Sequence, residues 1–195
     1  MNYPNGLKKN SIVLKSNSNY KNRGMNLEND INSTNQYYIE KKIAFIYKKP
    51  TPIKLVKVDY KKSKIEEAYF EMPSTTDYNG IYKGKYIDFE AKETQNKKYF
   101  PLKNIHKHQI EHIKNIYNEK GICFLIVRFV KLNQTYLLMA KDFLEYIESN
   151  DTSNIPIDIF EEKGYLIKEK FIPRLDYLDV INKTEDLSNE KKWKK

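Results

Sequence analysis

Two short stretches carry residue types that could work on a phosphodiester. Thr75-Thr76-Asp77-Tyr78-Asn79-Gly80 is followed closely by Tyr86-Ile87-Asp88-Phe89-Glu90-Ala91-Lys92. Read as neighbouring strands, they set Asp77 opposite Glu90, with Lys92 two residues beyond. Successive side chains of a strand point to opposite faces. Ile87, Phe89 and Ala91 therefore share an apolar underside, and Asp88, Glu90 and Lys92 share the other face. Carboxylates supply the hard oxygen ligands that magnesium or manganese prefers. A cation so held activates water and acts as a Lewis acid on the phosphate. The Ala91 carbonyl is a candidate backbone ligand, and Lys92 is the group to orient water or stabilise the transition state. One such donor is worth roughly 3–4 kcal/mol by analogy with an oxyanion hole. Asp88, about 7 Å from Glu90 along the strand, reads as a rim residue. An exposed, charged hairpin would carry the same residues, so the pattern alone leaves that plainer reading open.

The neighbouring elements must position this hairpin. A helix is expected from about Leu27 to Lys42, with Leu27, Ile31, Thr34, Tyr38 and Ile39 at helical spacing, Asn26 as N-cap and Glu28 in the first turn. Glu28 is a candidate to reach the site, although its place near the helix dipole explains it equally well. A short strand, Ile43 to Tyr47, leads to Lys48-Lys49-Pro50-Thr51-Pro52. Ile53 to Tyr60 and Ile65 to Met72 then read as a protruding ribbon with Lys61-Lys62-Ser63-Lys64 at its tip. Its lysines (Lys57, Lys61, Lys62) interleave with Tyr60, Tyr69 and Phe70, a mixture suited to gripping backbones and stacking on bases. A solvated hairpin with core aromatics would show the same pattern.

After the hairpin, a helix is expected from about Asn104 to Lys120, closed by Gly121 at C′. Ile105, Gln109, Ile113 and Ile116 share one face, where a buried glutamine needs a partner. His106, His108 and His112 lie in the same helix and read as surface, solvent or phosphate contacts. Ile122 to Phe129 and Gln134 to Met139 read as strands, and Lys141 to Ser149 as a helix. Together the elements describe an α/β domain with a mixed sheet. The expected divisions are a basic arm at residues 1–24, a nuclease domain at 25–182 with the protruding ribbon at about 50–72, and a charged tail at 183–195.

Composition narrows the function class. The chain has 195 residues, 39% hydrophobic and 31% charged, enough for one buried domain. Thirty-five Lys and Arg against 26 Asp and Glu give a net charge of +9, which suits a polyanionic partner. No basic amphipathic helix with a broad apolar face favours a membrane, and no apolar stretch reaches spanning length. The single cysteine, Cys123, lies in an apolar run, reads as a buried structural thiol and can form neither a disulfide framework nor a zinc site. The expected location is cytoplasmic.

Several motifs resemble the RecU family: Asn22-Arg23-Gly24-Met25, Lys48-Lys49-Pro50-Thr51-Pro52, Pro73 to Gly80 and Ile87 to Thr94. So do Phe100-Pro101-Leu102, His108 to His112, Gly121-Ile122-Cys123-Phe124 and Pro173 to Asp179. The likeness runs from about Arg23 to Ile181. It implies a restriction-endonuclease-like fold and a homodimeric, magnesium-dependent Holliday junction resolvase that makes paired nicks in recombination and repair. It also implies metal coordination by Thr75, Asp77, Glu90 and Gln109, transition-state stabilisation by Lys92, and a stalk entering the junction centre. Arg23 becomes a candidate DNA contact, and a recombinase is suggested as a further partner. Two other classes compete. A non-catalytic junction-binding or strand-annealing protein is opposed by the intact Asp77, Glu90 and Lys92, and a sequence-specific restriction-type nuclease by the extent of the resemblance.

Overall fold

The structure, a computed structural model, describes residues 27–70 and 75–192, with side chains to residue 184. In chain order come α1 (Leu27–Glu40), β1 (Phe45–Lys48), β2 (Ile53–Asp59), β3 (Lys64–Phe70), β4 (Tyr78–Tyr82), β5 (Lys85–Thr94) and β6 (Tyr99–Pro101). A 3-10 turn at Leu102–Asn104 leads to α2 (Lys107–Asn118), β7 (Ile122–Phe129), β8 (Gln134–Met139) and α3 (Ala140–Ser149). Last come β9 (Asn154–Pro156), α4 (Ile157–Glu162), β10 (Tyr165–Leu166) and α5 (Tyr177–Lys192). Arg23 and the basic arm, the Asn26 cap and Met72 at the ribbon's end lie outside the described residues.

Six strands form one sheet in the order β1-β4-β5-β7-β8-β10. β5 and β7 run parallel and the other neighbours antiparallel, so the sheet is mixed as expected. A parallel pair needs a crossover, here supplied by α2, and is covered on both faces. Every residue of β7 is accordingly buried. Ile122, Phe124 and Ile126 pack with Leu27 and Ile31 of α1 and Tyr177 and Ile181 of α5. Cys123, Leu125 and Val127 pack on the opposite face with Ile113 of α2 and Phe143 of α3. The register Asp88↔Cys123, Glu90↔Leu125 and Lys92↔Val127 puts the charged face of β5 on the α2 side. The crossover that makes the parallel pair thus also lays α2 over the charged residues.

The β4–β5 hairpin closes through Lys83 and Gly84, both at positive φ (48° and 76°), between the paired Tyr82 and Lys85. Such a two-residue turn matches strand twist and needs left-handed residues, for which glycine is best suited. Its register runs to Tyr78↔Phe89 and, extended by one residue, faces Asp77 with Glu90. On the underside Tyr78 stacks on Phe89 and Phe89 on Phe124, with ring centroids 4.8 and 4.7 Å apart. Tyr78 and Tyr82, undistinguished among sixteen tyrosines in the sequence, are both core residues.

Three expectations about elements change. The second long helix starts at Lys107 rather than Asn104, because a capping box between His106 and Gln109 defines its first turn. At its other end Lys120, at φ 66°, takes the left-handed C′ position assigned to Gly121. Lys120 N–H bonds the Tyr117 carbonyl and Gly121 N–H the Ile116 carbonyl, the Schellman pattern with Gly121 at C″. Glycine is required there by space: a Cβ would sit 2.7 Å from Ile116 Cγ2. Finally, α5 stays helical to Lys192, across the segment expected as a charged tail. The run Lys183 to Lys192 has no proline or glycine to end a helix.

The ribbon is a separate two-stranded sheet of β2 and β3. Its aromatics are not core: Tyr60, Tyr69 and Phe70 are 86%, 59% and 81% exposed. Large exposed apolar rings on a two-stranded projection are the kind of feature that marks a binding surface.

Candidate active site

The strand-end geometry brings Asp77, Glu90 and Lys92 together. Asp77 Oδ2 accepts from the Ala91 amide at 3.2 Å, which fixes its carboxylate against β5 beside Glu90. Lys92 Nζ forms an ion pair with Glu90 and lies 3.9 Å from Asp77 Oδ2. Glu90 is fully buried, and burial, followed by the nearby Asp77 carboxylate, pushes its pKa up to about 7. Lys92 acts in the opposite direction. One oxygen of Glu90, Oε2, is buried with no hydrogen-bond partner. A buried, unpartnered carboxylate oxygen is costly unless something else satisfies it. The adjoining cleft, about 210 Å³, is lined by Asp77, Ala91, Lys92, Glu93, Glu28 and Lys48 among others.

Gln109 reaches this centre from α2. Its side-chain amide donates to Glu90 Oε1 and to the Thr75 carbonyl, both at 2.9 Å, while its oxygen accepts from the His106 amide at 3.0 Å. The glutamine on an apolar stripe is therefore fully engaged. In this arrangement it orients Glu90 with its nitrogen and gives its oxygen to the helix cap. Thr75 Oγ1 accepts from Lys49 Nζ at 3.0 Å. Thr75, Asp77, Glu90 and Gln109 thus form one cluster, in which Asp77 and Glu90 bring carboxylates and Thr75 and Gln109 brace them. Two carboxylates and a backbone carbonyl suit a hard divalent cation, and the unpartnered Glu90 oxygen fits such a ligand. Among the described residues no group of three or more His, Cys, Asp or Glu side chains has metal-binding geometry, so backbone, amide and water oxygens would complete the coordination.

Asp88 is not on the rim. It is fully buried and bonded to Lys49 Nζ at 2.7 Å, to the Tyr86 hydroxyl at 2.8 Å and to Thr76 Oγ1. Parity along β5 correctly gives it the same face as Glu90, but strand parity says nothing about what covers that face. Here Lys49 and His112 close over it, His112 Nε2 standing 3.3 Å from Asp88 Oδ2. His112 is consequently part of the site's wall rather than plain helix surface. Lys49 is the functional neighbour the sequence reading missed. Its only local signal was its place in Lys48-Lys49-Pro50, directly after a short strand.

The other candidates fall into two groups. Glu28 stands at the mouth of the cleft and pairs with Lys48 at 2.6 Å. Lys57, Lys61, Lys62, Tyr69 and Phe70 are all on the ribbon of β2, β3 and their turn rather than in the cluster. Lys57 pairs with Glu66 at 2.7 Å, Lys62 approaches Asp59 at 3.4 Å, and Tyr69 donates to Glu67 at 3.0 Å. Cys123 is buried, as expected of a structural thiol, and desolvation pushes its pKa well up. Among the described residues, no helix is long and apolar enough to cross a membrane.

A family model described as "Recombination protein U" (RecU) matches residues 22–183. The chain is 50% identical over 193 residues to a protein of Oceanobacillus iheyensis named Holliday junction resolvase RecU, covering 94% of this chain and 98% of that one. A protein of the same name from Streptococcus agalactiae is 47% identical over 188 residues, covering 93% and 94%. Another from Lactococcus lactis is 52% identical over 165 residues, covering 83% and 78%. A solved structure of Hjc from Archaeoglobus fulgidus, described as a Holliday junction resolvase, aligns with a TM-score of 0.40 and 10% identity over 67% of this chain and 90% of that one, too loose a likeness to inform the fold.

Proposed function

The chain belongs to the RecU family, and from that membership and the site geometry we propose that it is a Mg²⁺-dependent endodeoxyribonuclease that resolves Holliday junctions by paired symmetric nicks. The fold class implied by the resemblance is restriction-endonuclease-like. The observation that carries the catalytic reading is the convergence of Asp77, Lys92 and the buried, half-satisfied Glu90 at one strand end. A bound Mg²⁺ or Mn²⁺ supplies Lewis acidity and a water of lowered pKa. Asp77 and Glu90 would hold it, with the Ala91 carbonyl and Thr75 as the further ligand candidates and Gln109 orienting Glu90 from α2.

The protein's own groups account for the rest. Burial excludes solvent around Glu90, so a cation arriving there meets a carboxylate short of partners. The Ala91 amide keeps the Asp77 carboxylate turned towards Glu90. Lys92, in contact with both carboxylates' surroundings and a quarter exposed, is placed to offset the charge that builds on the phosphate. The ribbon, with Lys57, Lys61, Lys62, Tyr69 and Phe70, serves as the stalk that enters the junction. Arg23 adds a backbone contact.

Paired nicking needs two sites, and a homodimer with two-fold symmetry matches a substrate of similar symmetry. The half of the sheet that α2 leaves bare supports a second copy: Phe45, Tyr47 and Ile81 there are 50%, 55% and 57% exposed. The deciding assay incubates the protein with a labelled four-way junction and with linear duplex, with and without Mg²⁺. Symmetric nicks confined to the junction and dependent on the metal are expected. Binding without cleavage in any divalent metal would establish a non-catalytic junction binder instead, and cutting at fixed linear sites a restriction-type nuclease.

A further inference from the structure

We propose that Lys49 is a positioning residue of the cleavage site, which uses the buried Asp88 as its anchor to hold Asp77 in place and to fasten both roots of the stalk to the catalytic strand. The proposal rests on the metal-nuclease reading of Asp77 and Glu90.

Lys49 follows β1 and immediately precedes Pro50, where the chain departs for the stalk. A residue before proline is held extended, so the direction in which Lys49 leaves β1 is restricted. The returning chain re-enters the described structure at Thr75 and reaches Asp77 just before β4. These two roots meet. The Lys49 amide donates to the Asp77 carbonyl at 2.8 Å, and Lys49 Nζ donates to Thr75 Oγ1 at 3.0 Å and Thr76 Oγ1 at 2.7 Å. All three acceptors belong to the segment that ends in Asp77.

The same ammonium is secured from below by Asp88 Oδ2 at 2.7 Å. Asp88 is fully buried and also takes a hydrogen bond from Thr76 and another from Tyr86. It lies two residues before Glu90 on β5, so the anchor and the metal-facing carboxylate share one rigid strand. His112 stands 3.4 Å from Lys49 Nζ, three residues along α2 from Gln109. An ammonium 14% exposed that makes three side-chain hydrogen bonds in fixed directions is a poor surface decoration and an effective clamp. Residues that orient first ligands in this way typically control metal affinity or activity by about 10–100-fold.

The test compares Lys49→Met with the double substitution Lys49→Met/Asp88→Asn, both as full chains. Removing only the lysine leaves Asp88 as an uncompensated buried charge, which threatens the fold. The double variant removes both charges and keeps the fold measurable. Mn²⁺ binding is followed by calorimetry on DNA-free protein, alongside melting temperature, junction binding and the Mn²⁺ dependence of junction nicking. The expected result is a double variant that melts near the parent, binds the junction as the parent does, binds Mn²⁺ about tenfold or more weakly, and recovers nicking as Mn²⁺ is raised. Lys49→Arg, which keeps a cation over Asp88, should recover part of the Mn²⁺ affinity. Parental Mn²⁺ affinity in a folded double variant would overturn the proposal, whether or not nicking changes. Should the parent chain bind Mn²⁺ but nick no junction, the nuclease reading fails while the affinity comparison still decides the role of Lys49.

Discussion

Gln109 of α2 donates a 2.9 Å hydrogen bond to Glu90 of β5, joining the crossover helix to the carboxylate it covers. That single contact links the parallel strand pair to the chemistry. The helix must lie on this face to connect β5 with β7, and the one polar residue on its apolar stripe lands on the buried Glu90. Gln109→Leu keeps the apolar volume and removes both donations. Mn²⁺ affinity and nicking are each expected to fall about 10–100-fold, while loss of the cap bond from the His106 amide lowers the melting temperature by only about 2–4 °C. Unchanged metal affinity in calorimetry would remove Gln109 from the site.

Asp77→Ala and Glu90→Ala are expected to abolish nicking while four-way junction binding survives, because the contacts assigned to DNA lie on the stalk and at Arg23. Gel-shift and cleavage assays run side by side check this. A variant that still nicked at a comparable rate would show the metal assignment to be wrong.

The pKa of about 7 at Glu90 has a consequence for stability. An acid whose folded pKa lies above its unfolded value of about 4.5 weakens the fold increasingly as pH rises from the lower value through the higher one. A cation bound to the carboxylate reverses that loss. At pH 8, Mg²⁺ or Mn²⁺ at about a hundred times its Kd should raise the melting temperature of the DNA-free protein by roughly 5–10 °C. Glu90→Gln should melt at or above the metal-free parent and lose the metal response. A metal-dependent shift that persisted in Glu90→Gln would place the ion elsewhere.

On the stalk, Phe70→Ala and Tyr69→Ala remove exposed rings without opening a cavity. Each lost base stack is worth about 1–3 kcal/mol, so the preference for junction over linear duplex should fall roughly tenfold or more per ring engaged. Charge reversal at Lys61 and Lys62 should instead weaken binding to all DNA and flatten its salt dependence. Competition binding distinguishes the two effects, and full junction preference after loss of both rings would discount the stalk as the discriminating element.

The open face of the sheet gives the last expectation. Phe45→Glu or Ile81→Glu places a charge where the side chain is half exposed in the single chain. Both should fold normally yet sediment as monomers, and nick one strand of the junction rather than two opposed strands. A dimer that survived both changes would move the interface to another surface.

Much of the fold was legible because it depends on local periodicity. The alternation of β5, the continuous apolar run of β7 and the helical spacing of α1 and α3 each state their element without reference to the rest of the chain. The lysine-rich turn between two alternating segments stated the ribbon, and the pairing of Asp77 with Glu90 followed from a short turn between two strands. Helix ends were less legible, because the start of α2 depends on the reciprocal cap of His106 and Gln109 and its end on a lysine adopting a positive φ.

The parity of β5 follows from its residues alone: Asp88, Glu90 and Lys92 share one face because a pleated strand allows no other arrangement. How these equal-parity residues divide the work depends on what packs over that face. Glu90 gives one oxygen to Lys92 and Gln109 and keeps the other unpartnered, whereas Asp88 is consumed by Lys49, Thr76 and Tyr86. Parity fixes a direction from the backbone. Burial and partners come from the elements that the fold brings over that face, and those arrive from 39 residues before Asp88 and 24 residues after it.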